Sequence, residues 1–358
     1  MTGRTTLAKF IVDEAHRPAG ATPDLGALVL DLASGLKAIS ALLSRGVLAD
    51  ALGDAATRHS QDEGHRKLGV LANQILLDAC ERGGTLIAIA SEEMEQPYSI
   101  PREYRRGSYL LAFDPLDGSS NLDVNLGVGT IFSISRGPEA QDGIDRGEFL
   151  QPGSRQLCAG YALYGPSTML VLTLGRGVHA FTLDPSANEF VLSHADLRIP
   201  KETREFAVNA CNERFWEPPV RRYVEECLAG QTGPRGLDFN MRWTASLIAE
   251  VHRILIRGGL FIYPRDTKDA ARQRGRFRLL YEAAPMAMIV EQAGGLASTG
   301  RARLLEVVPR ELHERVPLIL GSRREVERLV RYHLDHDRGL GRPYTDPLFK
   351  VRSLLREP

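Results

Sequence analysis

Two amphipathic stretches stand near the start of the chain. Apolar residues recur at three- and four-residue steps over residues 24–44 and 68–79, a pattern typical of helices that bury one face. Pro23 and the predicted N-cap Asp24 open the first helix, and Gly83-Gly84 ends the second. A helical pair is therefore predicted ahead of the first strand.

Apolar runs without alternation follow the helices. Residues 85–90 and 109–113 alternate poorly, which indicates strands buried on both faces, and residues 129–135 predict a third strand. Short turns separate the next three predicted strands, which suggests an antiparallel meander in a sheet of different character. These strands cover residues 168–174, 177–183 and 189–193.

Helices and strands alternate again in the second half. The predicted helices cover residues 218–228, 243–257, 286–292 and 324–334, and the predicted strands 259–263 and 317–320. We divide the chain into an N-terminal α/β domain (1–193), a C-terminal α/β domain that completes the site (194–334) and a tail (335–358). The polar stretch 52–66 predicts a mobile loop, with an active-site lid and an inert surface loop as equal alternatives.

Charge and composition exclude several classes of protein. Lys plus Arg equals Asp plus Glu, at 45 each among 358 residues, so no overall field favours nucleic acid or an acidic membrane. No unbroken run of 18 apolar residues or secretory leader is present, and we expect a cytoplasmic protein. The four cysteines are scattered without C-x-x-C spacing, which argues against a zinc site, and three of them sit in apolar context, which suits reduced core thiols.

The segment that carries chemistry reads Phe-Asp-Pro-Leu-Asp-Gly-Ser-Ser-Asn, residues 113–121. Asp114 and Asp117 follow a buried strand, and Pro115 is expected to turn the chain so that both carboxylates aim at one point. Such hard oxygen ligands suit Mg²⁺ or Mn²⁺. Gly118, Ser119 and Ser120 offer backbone N–H groups and hydroxyls to an anion.

A tight turn is the plain alternative, because Asp-Gly after Pro is ordinary hairpin punctuation. A second acidic pair, Glu92-Glu93, follows the other buried run and favours a functional cluster. Two strands that end in acid pairs predict one metal site.

With these motifs, the chain resembles class I fructose-1,6-bisphosphatase over roughly residues 6–333. The segments that carry the resemblance are 90–93, 113–121, 160–165, 258–264 and 278–282. Inositol monophosphatases share the first two in looser form. The resemblance implies a five-layer αβαβα sandwich, a homotetramer and hydrolysis of the 1-phosphate of fructose 1,6-bisphosphate with several Mg²⁺ ions. It places the reaction in gluconeogenesis or the Calvin cycle.

The resemblance also implies roles for individual residues. The metal-binding acids are Glu92, Glu93, Asp114, Asp117 and Glu282, with the Leu116 carbonyl as a further ligand. Glu93 is the predicted base for the attacking water. Residues 117–120 would hold the scissile phosphate, and Asn209, Tyr263 and Arg276 the sugar and its 6-phosphate. Arg242 resembles an arginine donated across a subunit interface. Structural roles for Tyr263 and Asn209, and a helix-dipole role for Glu282, are the alternatives.

Several positions depart from the family pattern. Tyrosine is usual where Asn212 and Trp243 stand, and lysine where Arg276 stands. The AMP-inhibition site corresponds to Gly26, Ser108-Tyr109 and Arg136, and half of it is missing.

The resemblance implies an aspartate at Gly69, so either Glu93 serves as the base alone or Asp62 or, preferably, Glu63 of the polar stretch replaces the missing acid. If the missing acid limits the rate, Gly69→Asp is expected to raise kcat. Sedoheptulose 1,7-bisphosphatase activity and a weakly active sugar-phosphate-binding paralogue are the alternative functions.

Overall fold

The computed structural model describes residues 4–18, 20–45, 61–138, 144–268 and 274–340, and for residues 61–66 the backbone alone. The helices in these ranges are α1 (Leu7–Ala15), α2 (Pro23–Ser44), α3 (Gln61–Cys80), α4 (Pro218–Leu228), α5 (Leu247–Arg257), α6 (Ala284–Gln292) and α7 (Arg323–Asp337). The strands are β1 (Leu86–Ser91), β2 (Tyr98–Ser99), β3 (Tyr109–Asp117), β4 (Val128–Arg136), β5 (Gln156–Tyr164), β6 (Thr168–Thr173), β7 (His179–Asp184), β8 (Glu189–His194), β9 (Glu205–Val208), β10 (Asn240–Met241), β11 (Leu260–Tyr263), β12 (Phe277–Arg278), β13 (Leu296–Ser298), β14 (Arg315–Val316) and β15 (Leu318–Gly321).

Two sheets organise these elements. The larger sheet has the order β2-β1-β3-β4-β5-β6-β7-β8, and the smaller one β10-β9-β11-β15-β13. The predicted meander is β6, β7 and β8, and it is antiparallel as expected. It does not form a separate sheet, because β5 joins it to β4 and so to β3. Strands β5 and β9 and helix α1 were not predicted as elements.

Apolar cores fill the spaces between five layers, and a smaller fourth cluster packs Phe149 and Tyr281 against β1 and β3. One core lies between α1, α2, α3 and a face of the large sheet. A second fills the space between the two sheets around α5 and α6, and a third lies under α4 and α7 on the outer face of the small sheet. The five-layer αβαβα sandwich is confirmed, since each layer buries an apolar face against the next.

The N-terminal helices differ from prediction in their starts. Thr22, not Asp24, caps α2, because its Oγ1 accepts the N–H of Leu25 over 3.2 Å. Helix α3 begins at Gln61, so residues 61–66 are helical rather than a loop. The remainder of the predicted mobile stretch, and the side chains of Asp62 and Glu63, lie outside the described residues.

Helix α2 is long and apolar enough to cross a membrane by those two criteria alone. Half of its apolar window is buried inside the protein. Its residues Leu28, Leu32 and Leu36 have no exposed surface and belong to the first core. It is therefore a core helix, and its polar positions had interrupted the unbroken apolar run sought in the sequence.

Two C-terminal elements also have other bounds than predicted. Helix α5 starts at Leu247 instead of residue 243, since Ser246 caps it and the N–H of Thr244 bonds the Glu250 carboxylate over 2.8 Å. Helix α7 continues to Asp337, into the predicted tail, and residues 341–358 lie outside the described residues. Helix α4 has the predicted bounds.

The carboxyl ends of β1 and β3 meet at one edge of the large sheet, because the two strands are parallel. The sequence predicted a turn at Pro115, but strand β3 continues through this residue to Asp117. The pairing with β4 shifts between Asp114 and Asp117, where three residue steps face two on β4. In a regular strand, residues three apart point to opposite faces. The extra residue of this bulge changes that alternation and allows both side chains to face the same side.

Candidate active site

Three carboxylates converge at this sheet edge. The side chains of Asp114, Asp117 and Glu282 each offer an oxygen, and these oxygens all lie within 4.8 Å of one another. The three residues are only 6%, 7% and 6% exposed. Asp117, at the end of β3, thus lies in the interior of the protein.

Glu282 reaches the cluster from the other half of the chain. It lies in a single π-helical turn, Leu279–Ala283, that runs directly into α6. The N–H of Arg278 donates to its Oε2 and holds the carboxylate in place. Such wide turns inside helices are frequent at functional sites.

Burial and mutual repulsion raise the pKa values of the three acids. Burial, then the charges of Asp117, Glu282 and Glu92, raises the pKa of Asp114 well above its ordinary value. Burial raises the pKa of Asp117 to about 6, although the N–H of Ile248 opposes the shift. Burial and the charge of Asp117 raise the pKa of Glu282 to about 8. The cluster therefore favours any cation that offsets its negative charge.

The remaining predicted metal ligands lie around this cluster in different ways. Glu92 forms an ion pair with Arg278, and its charge still acts on Asp114 and Asp117. The N–H of Leu116 donates to Oδ1 of Asp114 over 3.0 Å, which orients that carboxylate. Glu93 is exposed and lies against Gly69 on α3.

The residues that follow Asp117 form a tight loop beside α3 and the N-terminus of α5. Gly118 has φ of +75°, a left-handed conformation that favours glycine, and Ser119–Asn121 form one 3-10 turn. A side chain at Gly118 would contact Oγ of Ser246, the N-cap of α5. Small residues and a helix N-terminus therefore meet at one place, which is the arrangement that proteins use for phosphate.

Two of the three predicted sugar-binding residues, Asn209 and Tyr263, line a small pocket. Asn209, Asn212 and Tyr263 belong to it, together with Trp216 and Asp266. Asn209 also caps its own turn, because its Oδ1 accepts the N–H of Cys211 over 3.2 Å.

Arg276 and Trp243 lie against the tyrosine of this pocket. Arg276 donates from Nη1 to the hydroxyl of Tyr263 over 2.9 Å, and its charge lowers the pKa of Asp117 against the effect of burial. Trp243 stacks on Phe261 with ring centres 6.0 Å apart and also contacts Tyr263. Arg276 and Trp243, two of the three residues that depart from the family pattern here, are therefore next to Tyr263, and the third, Asn212, lines the same pocket.

Arg242 follows β10 at the outer edge of the small sheet. Its side chain is 51% exposed and pairs with Glu205 over 2.9 Å, on the outer edge of the small sheet.

Three neighbours of the site were not predicted: Arg278, Ser246 and Ile248. Arg278 stands in segment 278–282 of the family resemblance, so its spacing from Glu282 could have identified it as a neighbour of the site. The role of the Ile248 N–H has no sequence signal, since every residue but proline has that group.

Comparison with known proteins covers nearly the whole chain. Residues 5–195 match the family model of the fructose-1-6-bisphosphatase N-terminal domain, and residues 199–334 that of the C-terminal domain. A class 1 fructose-1,6-bisphosphatase of Methylacidiphilum infernorum is 57% identical over 99% of both chains. One of Methylibium petroleiphilum is 55% identical over 99% of this chain and 98% of its own.

Solved structures agree with this relationship. The crystal structure of Leishmania major fructose-1,6-bisphosphatase in holo form superimposes with a TM-score of 0.83 at 36% identity, covering 93% of this chain and 100% of that one. The T-state structure of the same protein has a TM-score of 0.81 at 36% identity, covering 93% and 99%.

Proposed function

We propose that Mg²⁺ is the metal cofactor of this chain and that Asp114, Asp117 and Glu282 hold it. The chain belongs to the class 1 fructose-1,6-bisphosphatase family and hydrolyses fructose 1,6-bisphosphate to fructose 6-phosphate and phosphate. The family is metal-dependent, and Mn²⁺ is the alternative cation. The observation that carries the proposal is the buried carboxylate cluster, whose oxygens lie within 4.8 Å of one another. Three unneutralised carboxylates at this distance disfavour each other, whereas a small divalent cation with oxygen ligands relieves the repulsion.

The donor set fits magnesium better than softer metals. Every side chain of the cluster is a carboxylate, and Glu92 at its edge adds a fourth. Zinc sites usually include thiolate or imidazole ligands, which this cluster lacks. The Leu116 carbonyl adjoins the same bulge and would supply another oxygen ligand.

The phosphate that is cleaved would lie over Gly118, Ser119 and Ser120. Their backbone N–H groups and hydroxyls, with the N-terminus of α5 behind them, provide donors without steric obstruction. The other phosphate and the sugar would occupy the pocket of Asn209 and Tyr263, where Arg276 supplies positive charge. Arg242, exposed on the sheet edge, is available to a neighbouring subunit.

The protein side chains contribute orientation and proton transfer. Bound Mg²⁺ supplies charge neutralisation and lowers the pKa of a bound water. Glu93, exposed and next in the chain to Glu92, is the proposed base for the proton of the attacking water, since Glu92 pairs with Arg278 and contributes its charge to the metal cluster. Asp114, Asp117 and Glu282 are held by neighbouring backbone N–H groups and would keep their positions during turnover.

We also propose the domain division 1–193 and 194–334, a homotetramer and a cytoplasmic location. The two family models meet between residues 195 and 199, which supports the division. All four cysteines are free, as expected in a reducing compartment.

Phosphate release from three substrates tests the proposal. Fructose 1,6-bisphosphate, sedoheptulose 1,7-bisphosphate and inositol 1-phosphate are compared with Mg²⁺, with Mn²⁺ and with EDTA. Rapid Mg²⁺-dependent release from fructose 1,6-bisphosphate is expected. A preference for the sedoheptulose ester would favour the alternative substrate, and binding without turnover would favour the sugar-phosphate-binding paralogue. Full activity in EDTA would exclude the metal role.

A further inference from the structure

The inner face of α3 has a notch at Gly69, and the carboxylate of Glu93 fills it. Gly69 is buried. A Cβ added at this glycine would overlap Oε1 of Glu93 and lie 3.2 Å from its Cδ. The three atoms nearest to that Cβ all belong to the Glu93 side chain. The space that any side chain at residue 69 requires is therefore occupied by this one carboxylate.

The backbone of Glu93 is fixed independently of α3. Its N–H donates to Oγ of Ser91 over 3.2 Å, and the N–H of Met94 donates to the Ser91 carbonyl over 3.1 Å. The side chain itself is exposed, so burial does not determine its direction. Its carboxylate lies directly against the backbone of α3 at Gly69, so the shape of the helix there limits the positions that the carboxylate can take.

We propose that Gly69 is a positioning residue for Glu93. The absent side chain leaves the carboxylate room to lie against α3, a helix that also contacts the 3-10 turn of Ser119–Asn121. The inference rests on the proposed function, in which Glu93 takes a proton from the attacking water. The carboxylate of Glu93 occupies space that it would have to share if residue 69 were also an acid.

An aspartate at residue 69 would not add a second base to this site. It would require the space of the Glu93 carboxylate and bring a second negative charge against it. The expectation that Gly69→Asp raises kcat is therefore reversed, and we expect this variant to be slower than the wild type. Glu93 then serves as the base without a replacement acid from residues 52–66.

The cost of a side chain at residue 69 falls on activity rather than on stability. The overlapping atom is the end of a flexible and exposed side chain, which can rotate away without disturbing the core. Alanine also has a higher helix propensity than glycine within α3. A variant that only damaged the fold would instead lower the stability and leave the active site intact.

The test compares Gly69→Ala with variants of Glu93 in the full-length enzyme with Mg²⁺. We expect Gly69→Ala to lower kcat at least tenfold, to change KM less than twofold and to leave Tm equal or higher. Val70→Ala is the matched control, because Val70 is the next residue of α3 and is 55% exposed, and its kcat should be unchanged. Glu93→Gln, measured in parallel, tests the role of the base itself.

A double variant separates positioning from a general effect on α3. Glu93→Asp shortens the acid and alone lowers kcat, but in the Gly69→Ala background it removes the overlap. The kcat of Gly69→Ala/Glu93→Asp should therefore exceed the product of the two single effects. A crystal structure of Gly69→Ala should show the carboxylate displaced from α3.

Each contrary result has a distinct meaning. Wild-type kcat for Gly69→Ala together with a slow Glu93→Gln overturns the positioning inference and leaves the proposed base intact. Strictly multiplicative effects in the double variant, or an undisplaced carboxylate in the crystal, also overturn it. Wild-type kcat for Glu93→Gln removes the proposed base and the inference with it.

Discussion

The N–H of Ile248, in the first turn of α5, donates to Oδ2 of Asp117 at the end of β3 over 3.3 Å. The two residues are 131 positions apart, so the bond connects the halves of the chain at the metal-binding edge. The positive end of a helix dipole stabilises a nearby carboxylate. Asp117 is thus oriented by one half of the protein for chemistry assembled by both.

Replacing Asp117 should separate activity from folding. Asp117→Asn retains an oxygen that can accept the Ile248 N–H but removes one charge from the cluster. We expect phosphate release to fall by more than the roughly 100-fold that losing an outer-shell partner of a metal costs. The metal-free variant should melt at or above the wild-type temperature, because repulsion among buried acids is reduced.

Phosphate release and thermal unfolding in EDTA provide the two measurements. Glu327→Gln, on the exposed face of α7, is the control for loss of one negative charge. Near-normal turnover by Asp117→Asn would refute the assigned metal role.

The stability of the metal-free protein should depend on Glu282 through pH. Its pKa is about 8 in the folded protein, against an ordinary value of 4.5. Between these values the folded state binds a proton that the unfolded state does not, so this residue lowers stability as pH rises. Above pH 8 the penalty is complete, and below 4.5 it is absent.

We therefore expect Glu282→Gln to melt higher than the wild type at pH 9 in EDTA. The difference in Tm should shrink toward pH 4.5, and added Mg²⁺ should stabilise the wild type more than the variant. A difference that is constant across this range would contradict the shifted pKa.

Tyr263 should affect substrate binding more than the chemical step. Its hydroxyl accepts from Arg276 over 2.9 Å, at a pocket separate from the acids. Tyr263→Phe is expected to raise KM about tenfold, corresponding to about 1.4 kcal/mol for one lost hydrogen bond. The value of kcat should change little, because the group binds substrate and transition state alike.

Steady-state kinetics on fructose 1,6-bisphosphate check this prediction. Tyr98→Phe, which loses a hydroxyl bonded to Glu81 instead, is the control. A large fall in kcat with unchanged KM would assign Tyr263 to the reaction itself.

AMP should inhibit this enzyme weakly or not at all. At the corresponding site the hydroxyl of Tyr109 bonds Oγ1 of Thr22 over 2.6 Å, and the Arg136 guanidinium lies over the Tyr109 ring. The usual lysine is Ser108, and a side chain at Gly26 would lie 2.5 Å from Cγ2 of Ile11. A phosphate therefore has two donors fewer here, at a cost of roughly 1 to 3 kcal/mol for each lost charged bond.

Restoring one donor should restore part of the response. Ser108→Lys is expected to lower the AMP concentration for half inhibition, whereas Ser186→Lys, in an exposed turn, should not change it. Micromolar inhibition of the wild-type enzyme by AMP would show that the remaining groups suffice.

Local patterns predicted much of the fold because they depend on near neighbours in the chain. The unbroken apolar runs became β1 and β3, each buried along its entire length, and the bounds of α4 were correct. Two acid pairs at strand ends indicated one cluster, and the parallel pairing of β1 and β3 does bring those ends together. Glu282 came from the family resemblance, since periodicity alone identified only the helix beside it.

What the sequence by itself determined is therefore most of the longer helices and buried strands, the oxygen chemistry of the site and the family to which the chain belongs. The tertiary structure decided how those groups meet. The bulge that brings Asp114 and Asp117 to one side depends on pairing with β4, and the space beside Gly69 depends on where Glu93 lies. Such contacts are set by the packing of whole layers against each other, and no periodicity within one segment reports which distant side chain will lie opposite it.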